Sequence, residues 1–214
     1  PYIALQLKAV TESVSILARQ DSAVWLPDTA LIVAATLAVF SILFGARRSL
    51  STGHNRGLML AIAFEAVFKL VALAAVGCFA IFILHGGAGD LVLRSVEERI
   101  FDSEAPTARP AFFASIVLGV LSIVCLPQLF HVLVVENVSG KDLRAAQKWF
   151  VLYLLTMGAF VLPIAAAAAL AGPELAANGY HLLTLPLSAG ESGLAFLAYL
   201  GGLSAATSMV IVAT

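Results

Sequence analysis

Three groups of residues in this chain could do chemistry, and all three lie in strongly apolar surroundings. Glu65 and Lys69 stand four residues apart, between Ala61-Ile62-Ala63-Phe64 and Leu70-Val71-Ala72. On a helix that spacing puts both on one face, where they can pair. An ionisable group at membrane depth is costly, so it marks either a functional position or an ion pair that fixes packing. Lys8 is a third such charge. The second group is Pro127-Gln128, followed by Phe130-His131. Proline removes a backbone donor and clashes with the preceding turn, so a helix kinks or unwinds there. Such a break is either a simple kink or a place where half-helix ends meet a substrate or ion, with Gln128 adding a polar side chain. The third group is Gly201-Gly202-Leu203-Ser204-Ala205-Ala206-Thr207-Ser208. Small residues let helices pack closely. The same hydroxyls and carbonyls also suit a hard cation such as Na⁺.

Other motifs dissolve on inspection. His85-Gly86-Gly87-Ala88-Gly89 is like an esterase oxyanion loop, and Gly190-Glu191-Ser192-Gly193 is like a nucleophile elbow. Leu194 stands where the elbow needs its second glycine, and no strand precedes either segment, so both are turns at helix ends. His54 and His181 are isolated loop histidines, and no set of residues has metal-ligand spacing. Cys78 and Cys125 sit in apolar runs and read as small buried hydrophobes. No residue here can perform phosphotransfer.

These groups must be positioned by apolar helices. Of the 214 residues, 61% are hydrophobic and only 12% charged, with a formal charge of −1, and the mean hydropathy is +0.99. A soluble domain carries about 25% charged residues. The balance excludes disorder, a disulfide scaffold and nucleic-acid binding, and leaves an all-α polytopic membrane protein whose first partner is the lipid bilayer. Uninterrupted apolar stretches cover Ala30–Ala46, Gly57–Leu84, Ala111–Val135, Trp149–Ala171 and Gly193–Thr214. Each is near the ~17–25 residues that span a hydrocarbon core as a helix. Pro1–Ala18 is a sixth candidate: Ile3, Leu7, Val10, Val14 and Leu17 make one apolar face, opposite Lys8, Thr11, Glu12 and Ser15.

Arg47, Arg48 and Arg56 lie in one short connection, and Lys141, Arg144 and Lys148 in another, whereas the alternate connections are rich in Asp and Glu. The basic connections are therefore expected on the cytoplasmic side, with the first helix running outward. The external segment His85–Pro110 alternates Leu91, Leu93, Val96, Ile100 and Phe101 with Arg94, Glu97, Glu98 and Arg99, the pattern of a short interfacial helix. The chain starts without Met and stops inside an apolar run, which reads as an excerpt of a longer polypeptide.

Four stretches carry a resemblance. They are Pro1-Tyr2-Ile3-Ala4-Leu5-Gln6-Leu7-Lys8-Ala9; His54–Lys69, with Gly57-Leu58 and Ala63-Phe64-Glu65; Cys125–Asn137, with Leu126-Pro127-Gln128, Phe130-His131 and Val135-Glu136-Asn137; and Asp142-Leu143-Arg144. Together they resemble the sodium:solute symporter superfamily, in the branch that forms the N-terminal membrane domain of bacterial sensor histidine kinases. The resemblance implies six helices of a LeuT-like inverted-repeat transporter fold, about the fourth to ninth of the parent, spanning residues 1–214. Pro127 would then lie in the discontinuous helix that opens the second repeat. The family's sodium site takes a backbone carbonyl and two hydroxyls from the last of these helices. Gly201 and Ser204 match the carbonyl and first hydroxyl, Ala205 occupies the place of the second, and Thr207 and Ser208 are the next hydroxyls along.

The implied function is a transporter-like sensor domain in the bacterial cytoplasmic membrane. It would bind, and carry, a small solute such as an amino acid or carboxylate, with Na⁺ as the coupling ion and cytoplasmic kinase domains as partners. Two alternatives are a free-standing sodium-coupled symporter and, suggested by Lys8, Glu65, Lys69 and the broken helix, a proton-channel subunit of a respiratory complex.

Overall fold

The chain was analysed as a computed structural model, which describes residues 2–18, 29–44, 56–100, 108–125, 140–172, 175 and 179–213. The described secondary structure is entirely helical. In chain order the elements are α1 (Tyr2–Ala18), α2 (Thr29–Phe44), α3 (Arg56–Cys78), α4 (Ala88–Glu97), α5 (Ala108–Cys125), α6 (Gly140–Ala171), α7 (His181–Ser188) and α8 (Ser192–Ala213). Helix α3 runs on into a π-helical turn, Phe79–Leu84, so the apolar rod reaches the end of its apolar sequence. Gly86 (φ +72°) then turns the chain away.

Among the described residues two helices are long and apolar enough to cross a membrane, over Ala63–Leu84 (22 residues) and Ala146–Ala171 (26 residues). Only 33% and 17% of their most apolar windows are buried inside the protein, so neither is the hidden core helix of a soluble domain. Pro110–Leu121 and Ser192–Thr207 are shorter apolar helices. The surface is apolar to match. Leu60, Phe64, Val67 and Val71 form an exposed stripe on α3, and every residue from Pro110 to Leu121 on α5 is exposed.

The assembly is centred on α3. Its most extensive neighbour is α8, followed by α6, and α8 also packs against α1 and α7. Tyr153 on α6 reaches the Ala66 carbonyl at 3.4 Å, and Phe160 fills the notch at Gly77, where an added Cβ would lie 2.5 Å from its ring. Both sequences rise together along that contact, so α3 and α6 are parallel. Along α8 the order reverses: Thr207 meets Glu65 and Gly201 meets Ala72, so α3 and α8 are antiparallel. The buried core is built from Val76 and Ala80, Ile164 and Ala166–Ala168, and Leu183 and Leu185. Alanine and glycine dominate these contacts because close approach, rather than bulk, gives van der Waals contact between apolar helices.

Cys78, expected as a small buried hydrophobe, is exposed on α3, and three further features depart from sequence expectation. The basic connection at Lys141, Arg144 and Lys148 is not a loop but the first turns of α6. Its Ala, Leu, Lys, Arg and Gln are all good helix formers, so the helix starts well before its apolar stretch. Helix α7 was not anticipated; its eight residues, with Pro186 inside, are too few to show a period. The short amphipathic helix expected within His85–Pro110 is present as α4, but only Leu91 and Ser95 of it are buried, while Leu93 and Val96 remain exposed. It ends in a Schellman motif, with Ile100 N–H donating to the Ser95 carbonyl, Arg99 N–H to that of Val96, and Arg99 in the left-handed region (φ +52°).

Candidate functional site

Two neighbouring features of α8 carry the candidate chemistry, one toward α3 and one toward α1 and α7. Toward α3, Gly201 is buried, and a Cβ placed on it would stand 2.7 Å from the Ala72 Cβ. Only a glycine admits that approach. One turn on, the Ser204 hydroxyl is buried without a hydrogen-bond partner. A further turn along, the Thr207 hydroxyl lies 2.9 Å from Glu65 Oε1 and 2.9 Å from the Ser204 carbonyl. Gly201, Ser204 and Thr207 thus follow one another along the edge of α8 that meets Lys69, Ala72 and Glu65. Lys69 is close enough for its charge to act on that of Glu65.

Gly201 and Ser204 are brought to α3 together with Glu65 and Lys69. Ala205 is half-buried and brings no side-chain oxygen. Ser208 is in α8, but its side chain lies outside the described residues, as do Pro127, Gln128, Phe130 and His131 in their entirety. Lys8 needs no buried partner: its side chain is 71% exposed and its ammonium is 3.7 Å from Glu12 Oε1, an i,i+4 pair along α1. On this flank of α8 Ala72 fills the space beside Gly201, the Thr207 hydroxyl is engaged with Glu65, and the Ser204 hydroxyl is buried without a partner.

Toward α1 and α7, α8 borders a cavity of about 230 Å³. Gln6, Ala9, Val10 and Ser13 line it from α1; Ala198, Tyr199, Gly202, Leu203 and Ala206 line it from α8; and Gly179, Tyr180, Leu182 and Leu183 line it from the start of α7. An apolar wall with a few polar groups is the usual make-up of a small-molecule site. Tyr180, on its wall, makes a contact with a residue 168 positions away: its hydroxyl donates to Glu12 Oε2. Glu12 therefore serves Lys8 with one oxygen and Tyr180 with the other. That hydrogen bond, then burial and the charge of the carboxylate, push the Tyr180 phenol above its ordinary 10.0.

Beyond the π turn, the His85 imidazole is held below its ordinary 6.5 by burial and by the nearby Arg94 charge, and its Nδ1 has no partner. Nothing local in the sequence joins Tyr180 to Glu12, 168 positions away. Compared with protein-family models, curated proteins and solved structures, the chain matches none. Among the described residues what stands is a wholly helical secondary structure, two helices long and apolar enough to cross a membrane, a half-buried polar link between α3 and α8, and a cavity beside it.

Proposed function

We propose that this chain is the transporter-like membrane domain of a bacterial sensor histidine kinase, related to the sodium:solute symporters, and that it binds and carries a small solute such as an amino acid or carboxylate. In this reading six helices cross the cytoplasmic membrane as about the fourth to ninth of a LeuT-like fold, and kinase domains lie elsewhere in the parent polypeptide. The observation that carries the reading is the cavity of about 230 Å³ among α1, α7 and α8, a space suited to a solute smaller than a drug-sized ligand. The helix directions also support it. Alternating basic connections require the third and fifth spans to run together and the sixth to oppose them, as α3, α6 and α8 do. The exposed apolar faces of α3, α5 and α6 suit acyl chains and would be unfavourable in water.

The residues divide the work. Gln6, Ser13 and Tyr199 offer the solute hydrogen bonds inside the cavity, and α7 covers it. Opening the Tyr180–Glu12 bond frees the cover from α1. Closure around solute would shift α8, and with it α3, through their close contact at Gly201 and Ala72. That movement is the signal passed toward the kinase.

The test is uptake of a radiolabelled mixture of amino acids and carboxylates into vesicles holding the full-length protein, with autophosphorylation followed in parallel. Saturable uptake, or a solute-dependent change in autophosphorylation, is expected. Uptake equal to that of protein-free vesicles, with autophosphorylation indifferent to every solute, contradicts the reading. Equal uptake in Na⁺ and K⁺ rules out sodium coupling. A phosphoacceptor histidine and an ATP-binding domain downstream of Thr214 separate the sensor from a free-standing symporter.

A further inference from the structure

We propose that Glu65 and Thr207 form a proton-binding site that joins α3 to α8, so that the ion exchanged at this helix pair is H⁺. The inference follows from counting hydrogens. The Thr207 hydroxyl sits 2.9 Å from two acceptors, Glu65 Oε1 and the Ser204 carbonyl, yet a hydroxyl has a single proton to donate and lone pairs to accept with. With Glu65 ionised, Thr207 gives its proton to one of the two, and the other contact is left without a hydrogen. With Glu65 protonated, the acid donates to Thr207 Oγ1 and Thr207 donates to the Ser204 carbonyl, so both contacts become full hydrogen bonds. The geometry is thus complete in the proton-loaded state and one hydrogen short in the empty one.

Lys69 stands one turn along α3 from Glu65, close enough for the two charges to interact. Tyr153 is the titratable group that α6 brings nearby, and its hydroxyl is directed to the Ala66 carbonyl. Across from Glu65, the described side chains of α8 present hydroxyls and no charge. A proton is also the ion that fits the space. It needs no coordination shell, whereas a metal cation would find Ala72 against Gly201 and no side-chain oxygen on Ala205. The neighbouring Ser204 hydroxyl, buried without a partner, stands one turn from Thr207 as a further group through which a proton can pass.

The site rests on the membrane-transport reading for its use in coupling, but its existence is tested without any solute. Full-length protein in lipid vesicles is titrated with pH while infrared difference spectra follow the carbonyl stretch of protonated carboxylic acids, in Na⁺ and again in K⁺. Expected is a titrating band that disappears in Glu65→Gln, changes frequency in Thr207→Val, is kept in Thr207→Ser, and has the same midpoint in both salts. Spectra of wild type and Glu65→Gln that superimpose at every pH overturn the proposal, as does a midpoint that moves when K⁺ replaces Na⁺. A band unchanged in Thr207→Val overturns the role of Thr207. Helix content by circular dichroism establishes that each variant is folded. A wild type that takes up solute but shows no Glu65-dependent band refutes the proton site alone, whereas a Glu65-dependent band without solute uptake refutes the transport reading alone.

Discussion

Tyr180 and Glu12 show how much one side chain can hold in this chain. Their bond ties the start of α7 to α1 beside the cavity. Tyr180→Phe removes the donor and leaves Glu12 its contact with Lys8, so the loss is about 1 kcal/mol, the usual net worth of a hydrogen bond. It is expected as faster amide exchange in α7 with α3 and α6 unchanged; slowed or unaltered exchange in α7 would contradict the latch. His85 gives a second residue-scale prediction, in pH. Burial and then Arg94 hold its pKa down in the folded chain, while the unfolded chain takes up a proton near the ordinary 6.5. Stability is then complete above that value and falls as pH drops through it, because the unfolded state binds the extra proton. Denaturation in detergent at stepped pH should show this slope, and His85→Asn should flatten it.

At the scale of elements, the close approach of α3 and α8 depends on Gly201. Gly201→Ala puts a methyl 2.7 Å from the Ala72 methyl, which is rigidly attached and cannot swing away. The helices must separate, at a cost of about 1–3 kcal/mol. Ala72→Gly should relieve that cost, so the double-mutant cycle is expected to show a coupling of about 0.5 kcal/mol or more. Additive effects would mean that the helices do not touch there. Much of the element plan is legible in the sequence. Long apolar runs declare α3 and α6 because hydropathy is a property of composition. The start of α6, α7 and the Glu65–Thr207 link were not legible, for different reasons. Helix propensity carries α6 past the end of its apolar run. Helix α7 is held by tertiary contacts of Leu183, Leu185 and Pro186 rather than by its own period. Thr207 finds Glu65 only through the antiparallel register of two helices 142 residues apart in sequence.

Across the described residues large apolar side chains of α3, α5 and α6 face outward, where a water-soluble bundle would place polar ones. The proposed role rests on the cavity among α1, α7 and α8, and Gly202 offers a clean way to obstruct it. Gly202 lines the cavity, and a Cβ there meets nothing within 4 Å. Gly202→Leu therefore adds a bulky side chain at the cavity wall without a clash at Cβ, and replacing a mid-helix glycine favours the helix by about 0.5–1 kcal/mol. The decisive measurement is solute uptake by vesicles carrying wild-type protein or Gly202→Leu, with stability recorded for both. Uptake abolished in a variant at least as stable as wild type is the predicted result. Undiminished uptake by a folded Gly202→Leu would show that no solute passes through this cavity and would contradict the account.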